Sequence, residues 1–209
     1  MSGALSRFFF SDAKILPMDF TAKVFENQVF QNITAPKQDL SYREFTGCTF
    51  KKCDFSECKF SGSAFIDCVF LDSNLSNIKI NSCSFQNVKF EGCKIVGVAF
   101  AALKTFLIEW KFTSCIIELC DFGNLKMPKT KFSKCKIHNT DFVNTDLTEA
   151  DFAESDLRGS RFQNAILIKA DFSTASNYSL NPAQNKIKNA IFSYPDIIGL
   201  LDQFEIVVK

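Results

Sequence analysis

The stretch FTGCTFKKCDFSECKFSGSAFIDCVF, Phe45 to Phe70, carries phenylalanine at every fifth position: Phe45, Phe50, Phe55, Phe60, Phe65 and Phe70. The spacing extends outward in both directions. It runs back through Leu40, Ala35, Phe30 and Phe25 to Phe20, and on through Leu75, Ile80, Phe85, Phe90 and Ile95 to Phe100. After a slip of two residues it resumes at Leu107 and reaches Phe172 in steps of five. Of these 31 centres, only Ala35 is not a large apolar residue. A period of five matches neither the helical 3.6 nor the strand period of 2. It marks a tandem repeat, and the repeat decides the fold.

A second register confirms the first. From Cys48 on, the residue two places before each centre is Cys, Ser, Thr, Ala or Val at 22 of 25 positions. A large and a small residue two apart share one side of an extended segment. The remaining positions are mostly Asp, Asn, Lys, Glu, Gly, Ser or Gln and face water. A turn after each five-residue edge then gives a narrow coil with a filled core.

The strings TDFVN TDLTE ADFAE SDLRG at Thr140 to Gly159, and ADFST from Ala170, resemble the pentapeptide repeat. The resemblance covers residues 18–174. It implies an all-β fold, a right-handed quadrilateral β-helix with four five-residue faces per turn. The 31 units make about eight coils, a rod roughly 37 Å long at ~4.8 Å per layer. Residues 1–17 read as an N-terminal cap over the first coil. The phase slip falls at 101–106, and 175–209 read as a loop, a helix and a strand that cap the rod.

Composition sets bounds. The 209 residues, 46% hydrophobic, suffice for one domain, and no run of eighteen apolar residues suggests a membrane span. The start, MSGALSRFFFSD, lacks the apolar core of a secretory signal, so a cytoplasmic location is expected. All nine cysteines occupy the small inward position, and none forms a C-x-x-C pair. Zinc needs ligands converging on one point, and thiols stacked a layer apart make poor disulfides. They read as small buried hydrophobes, reduced, with no metal and no cofactor. His138, the single histidine, directly follows the centre Ile137 and is expected to point outward. No phosphate-binding glycine loop or zinc helix is present, so the chain reads as a non-enzyme.

Charge is more informative. Net charge is +1, yet Lys126, Lys129, Lys131, Lys134 and Lys136 form a basic collar. An acidic band follows: Asp141, Asp146, Glu149, Asp151, Glu154 and Asp156. This band is a candidate docking surface. Direct nucleic-acid binding needs a broad basic face, which the sequence does not offer. The slip, with Leu103, Lys104, Thr105 and Phe106, is a second candidate contact, either a bulge that makes room for Trp110 or a projecting loop. In the tail, Ser193 reads as an N-cap with Pro195 in the first helical turn. Ile197, Ile198, Leu200, Leu201 and Phe204 then form an apolar stripe at helical spacing, followed by a strand-like Ile206–Val208. That stripe exceeds what a cap requires and suggests a dimer interface.

FSYPDIIGLL, after the loop NYSLNPAQNKIKNA, is also similar to the C-terminal part of the Qnr-like pentapeptide-repeat proteins. That group binds type II topoisomerases and protects them from quinolones. The resemblance implies a tail-to-tail homodimer whose shape and negative surface imitate duplex DNA, with DNA gyrase or topoisomerase IV as partner. The chain departs from the group in its net charge and in its unbroken run from Phe45 to Phe100. The alternative is a repeat scaffold that binds another protein, without quinolone protection.

Overall fold

Alternation along a short extended edge turns each repeat centre inward with the small residue two places before it. Every centre from Phe20 to Phe100 and from Phe112 to Phe172 is buried. The computed structural model describes residues 20–103, 109–204 and 206–207. The cap segment 1–17, Lys104, Thr105, Phe106, the centre Leu107 and Val208 lie outside the described residues.

The first edges give β1 (Val24–Glu26), β2 (Val29–Gln31), β3 (Glu44–Thr46), β4 (Thr49–Lys51), β5 (Ala64–Ile66) and β6 (Val69–Leu71). Then come β7 (Ser84–Gln86), β8 (Val88–Glu91), β9 (Lys94–Val96), β10 (Trp110–Thr113), β11 (Ile116–Glu118), β12 (Lys131–Ser133) and β13 (Lys136–His138). They stack in parallel as three sheets: β1-β3-β5-β7, β2-β4-β6-β8-β10-β12 and β9-β11-β13. Isolated bridges such as Asp39↔Lys59, Lys59↔Lys79 and Asp121↔Asp141 hold the fourth side. The result is an all-β quadrilateral solenoid. Partners are normally one coil apart, as in Phe45↔Phe65. Across the slip the offset grows by two, as in Trp110↔Val88.

The longest sheet has six strands, fewer than the eight coils expected. Beyond β13 the layers continue as single bridges, Lys131↔Asp151, Asp151↔Asp171 and Asp171↔Ile191. Asp or Asn before the centre accompanies the change at most of these edges, although Lys59↔Lys79 and Ile166↔Lys186 are bridges without it. No strand has Asp or Asn there. Where Asp39, Asp54, Asn74, Asp121, Asp141, Asp146, Asp151, Asp156 or Asp171 stands there, its Oδ1 accepts the backbone N–H two residues on. The side chain closes a turn, and the edge shortens from a strand to a bridge.

Inside, the rings form columns. Phe30, Phe50, Phe70, Phe90, Phe112, Phe132, Phe152, Phe172 and Phe192 stack with centroids 4.7 to 5.3 Å apart. Stacking therefore continues past residue 174. The small inward residues do more than fit. The thiol or hydroxyl of Cys58, Ser63, Cys83, Thr145, Ser155 and Ser160 donates to the carbonyl of Ala35, Leu40, Phe60, Phe122, Phe132 and Ile137, each in the coil below. Each such bond satisfies a buried carbonyl that would otherwise cost free energy. All nine cysteines are free and buried. Burial pushes the Cys83 thiol up to about 12 and those of Cys58 and Cys120 up to about 11. These thiols stay protonated and unreactive.

The tail differs from expectation. In place of a helix there are two 3₁₀ turns, Asp196–Leu200 and Asp202–Phe204, and no strand at 206–207. Gly199 lies against Tyr178, where a Cβ would meet the Tyr178 carbonyl oxygen at 1.9 Å. The Leu180 N–H donates to the Gly199 carbonyl at 3.2 Å. The tail thus lies against the last coil at Gly199, while its backbone bonds Ile198 to Pro195, Leu201 to Ile198 and Phe204 to Leu201 are three-residue turns within the tail. Ser193 does not cap; its hydroxyl donates to the Ser173 carbonyl.

Candidate functional site

The acidic band sits on these turns. The Oδ1 atoms of Asp141, Asp146, Asp151 and Asp156 accept from the N–H of Val143, Thr148, Ala153 and Arg158 at 2.9, 3.0, 2.9 and 3.1 Å. One oxygen of each carboxylate serves the fold. All four side chains are only partly exposed. Asp151→Ala therefore lowers stability by about 1 kcal/mol, the worth of one net hydrogen bond. Asp151→Asn keeps the acceptor and changes stability by less than half as much. Urea unfolding of the two variants checks this, and equal losses would mean that charge rather than the turn matters.

The collar and the band are separate in sequence but stacked in space. Lys126, Lys131 and Lys136 lie in register below Asp146, Asp151 and Asp156. Glu149 is flanked by Lys129 at 3.7 Å and Lys169 at 3.5 Å, and Glu154 pairs with Lys134 at 3.7 Å. Asp141 pairs with Arg161. These exposed pairs each contribute little to stability, but they cancel much of the band's field.

His138 does not simply point outward. Its side chain retains 21% exposure, wedged between Glu118 and Asp156, with Nδ1 3.7 Å from Glu118 Oε1 and Nε2 3.0 Å from Asp156 Oδ2. The neighbours of Asp156 act on it in opposite directions. Burial disfavours its charge, but hydrogen bonds from Asn177 and the Arg158 N–H, with the His138 ring close by, outweigh burial and hold its carboxyl below the usual range. Asp156 also ties the last coils to the tail, because the Asn177 N–H donates to Asp196 at 3.2 Å.

At the slip, Phe100–Ala102 forms a 3₁₀ turn and Leu103 packs partly buried on the core. Trp110 occupies the small inward position yet is fully enclosed, at 3% exposure. Its Nε1 donates to the Phe85 carbonyl at 3.2 Å, the task that thiols and hydroxyls perform elsewhere. Across the slip the offset between bridged layers grows from twenty to twenty-two, as in Ala99↔Asp121 and Trp110↔Val88.

The tail stripe is divided. Leu200 packs on the core and Ile198 is half-buried, whereas Ile197, Leu201 and Phe204 are exposed. Ile191 and Tyr194 extend the same apolar segment outward. Open clefts flank Gly199. One, of about 470 Å³, is lined by Arg158, Tyr178, Asp196 and Asp202 among others. Among the described residues no group of three or more His, Cys, Asp or Glu could hold a metal ion. No helix there is long and apolar enough to cross a membrane.

Among solved structures, a trypsin-treated form of QnrB1, a plasmid-mediated fluoroquinolone resistance protein, is similar with a TM-score of 0.78. The match is 15% identical and covers 90% of this chain and 94% of that one, a likeness of fold. HetL, a pentapeptide repeat protein involved in heterocyst differentiation regulation from the cyanobacterium Nostoc, is 14% identical over 83% of this chain and 90% of that one, with a TM-score of 0.45. No curated protein matches the sequence significantly. The family model of the pentapeptide repeat region matches residues 43–115 and 111–192, most of the chain. With its centres, inward donors and stacked coils, the chain belongs to the pentapeptide-repeat family.

Proposed function

We propose that this chain is a non-enzymatic rod that binds a type II topoisomerase, DNA gyrase or topoisomerase IV, and shields it from quinolones. The carrying observation is the filled core. Ring columns and inward donors occupy the interior from Phe20 to Phe192, so recognition falls to the outer faces. QnrB1, a fluoroquinolone resistance protein, shares the coil over nearly its whole length and supports the choice of partner. In this reading the contacts are the acidic band Asp141–Asp156 and the slip segment Leu103–Phe106. Exposed Ile197, Leu201 and Phe204 form the junction of a homodimer. Light scattering that reads one chain per particle removes the dimer.

The test is gyrase supercoiling in ciprofloxacin with and without the protein. Restored supercoiling is expected, and the Asp→Asn variant at 141, 146, 151 and 156 should lose it while keeping the wild-type circular dichroism spectrum. No protection by the wild type sinks the reading. A second reading, a scaffold for some other protein, is favoured by the Lys-over-Asp stacking, which breaks any continuous negative stripe.

A further inference from the structure

Charges on this rod are matched between layers. Lys37–Glu57, Lys129–Glu149, Lys134–Glu154 and Arg161–Asp141 each join neighbouring coils. Lysines also stand in register without an ion pair at Lys59↔Lys79, and one column carries three of them. Lys89 of β8, Lys111 of β10 and Lys131 of β12 stand directly in register. All three are exposed. Among the described residues none of them forms an ion pair. At ~4.8 Å per layer the column spans about 10 Å. Like charges directly opposite across a sheet destabilise it, and the fold gains nothing visible from these three. Lys94 and Lys136 add charge on the adjoining face.

We infer that the Lys89–Lys111–Lys131 ladder is a docking strip for a short acidic segment of a partner protein. The strip's limits decide between a polypeptide and a nucleic acid. In line with the ladder lie Asp151 and then Asp171, and Glu91 stands two residues along β8 from Lys89. A nucleic acid carries phosphates without interruption and runs into those carboxylates. Three or four carboxylates on an extended peptide end before reaching them. The inference rests on the reading of the rod as a protein-binding surface and specifies the charge of the element it binds.

The test uses a fluorescein-labelled tetraglutamate peptide and fluorescence anisotropy, with a labelled 20-base-pair DNA duplex as the second arm. The triple variant Lys89→Gln, Lys111→Gln, Lys131→Gln should bind the peptide at least tenfold more weakly than wild type. A charge-matched control at three exposed lysines that do not stack on one another, Lys23→Gln, Lys52→Gln, Lys188→Gln, should change it less than twofold. Wild-type binding should weaken several-fold between low and moderate salt. The ladder variant should keep the wild-type melting temperature and circular dichroism spectrum, since the repulsion it relieves along the column offsets the Lys131–Asp151 attraction it loses, so weaker binding cannot be laid to misfolding. Equal losses in the two triple variants overturn the inference, as does tighter binding of the duplex than of the peptide. A ladder variant that keeps peptide binding but loses self-association assigns the strip to a second copy and overturns it too. Because topoisomerase is absent from the assay, its result is independent of whether gyrase is protected.

Discussion

Phe132→Ala lowers the unfolding free energy by about 3–5 kcal/mol, the range for removing a fully buried aromatic side chain. Phe132 is wholly enclosed. Its ring stacks on Phe112 at 5.0 Å and on Phe152 at 5.1 Å, with Phe122 and Phe142 edge-on at 6.2 and 6.0 Å. Truncation removes packing from both neighbouring layers at once. In a solenoid each coil contacts only the next, so the damage stays near the site and weakens the coupling between the rod's two halves. Urea unfolding followed by circular dichroism should show either a lower midpoint or a transition split in two. A loss below about 1 kcal/mol would mean that the column tolerates a gap, against the behaviour of close-packed cores.

Trp110 gives the second large effect. Trp110→Ala costs about 3–5 kcal/mol as a large-to-small core change. It also leaves the Phe85 carbonyl without the indole N–H. Trp110→Phe retains most of the packing against Phe85, Phe100, Phe112 and Phe122 but removes the donor. Its cost should be about 1–3 kcal/mol, that of a buried acceptor left unsatisfied. The order wild type, Phe, Ala in denaturation midpoint is the expected result. A Phe variant as stable as wild type would show that the Nε1 bond contributes nothing and that Trp110 serves as filler alone.

The large register was fully legible: a period of five cannot be met by any helix or plain strand, and every described centre proved buried. The small register was legible as size but not as chemistry. Cys, Ser and Thr share modest volume and also a donor, and only the stacked carbonyl below reveals the second property. Trp110 departs from the register on size, yet it fits as a donor. Charge also pairs in a dimension the local run does not display. Lys126, Lys131 and Lys136 precede Asp146, Asp151 and Asp156 by one coil, so the sequence signal was the twenty-residue offset and not the local run. The Lys89–Lys111–Lys131 ladder was harder to see, since the slip changes that offset by two between its first members. The tail misled because Ile197, Ile198, Leu200 and Leu201 carry helical spacing. They lie instead in 3₁₀ turns, with Gly199 set against Tyr178, a contact invisible in one dimension.

The inward donors have a consequence for how such a chain is made. Each hydroxyl or thiol reaches a carbonyl about one coil back, whether it lies near the start or near the end of the rod. The loop that must close is therefore always about twenty residues, and its entropic cost does not grow with the length of the protein. A coil emerging from the ribosome finds the preceding coil already presenting its carbonyls and ring column, and can crystallise on it before the next is synthesised. Length then becomes a quantity adjustable in whole coils. The two added residues before Trp110 show the complementary tolerance, since the ladder regains register within a single layer of the insertion.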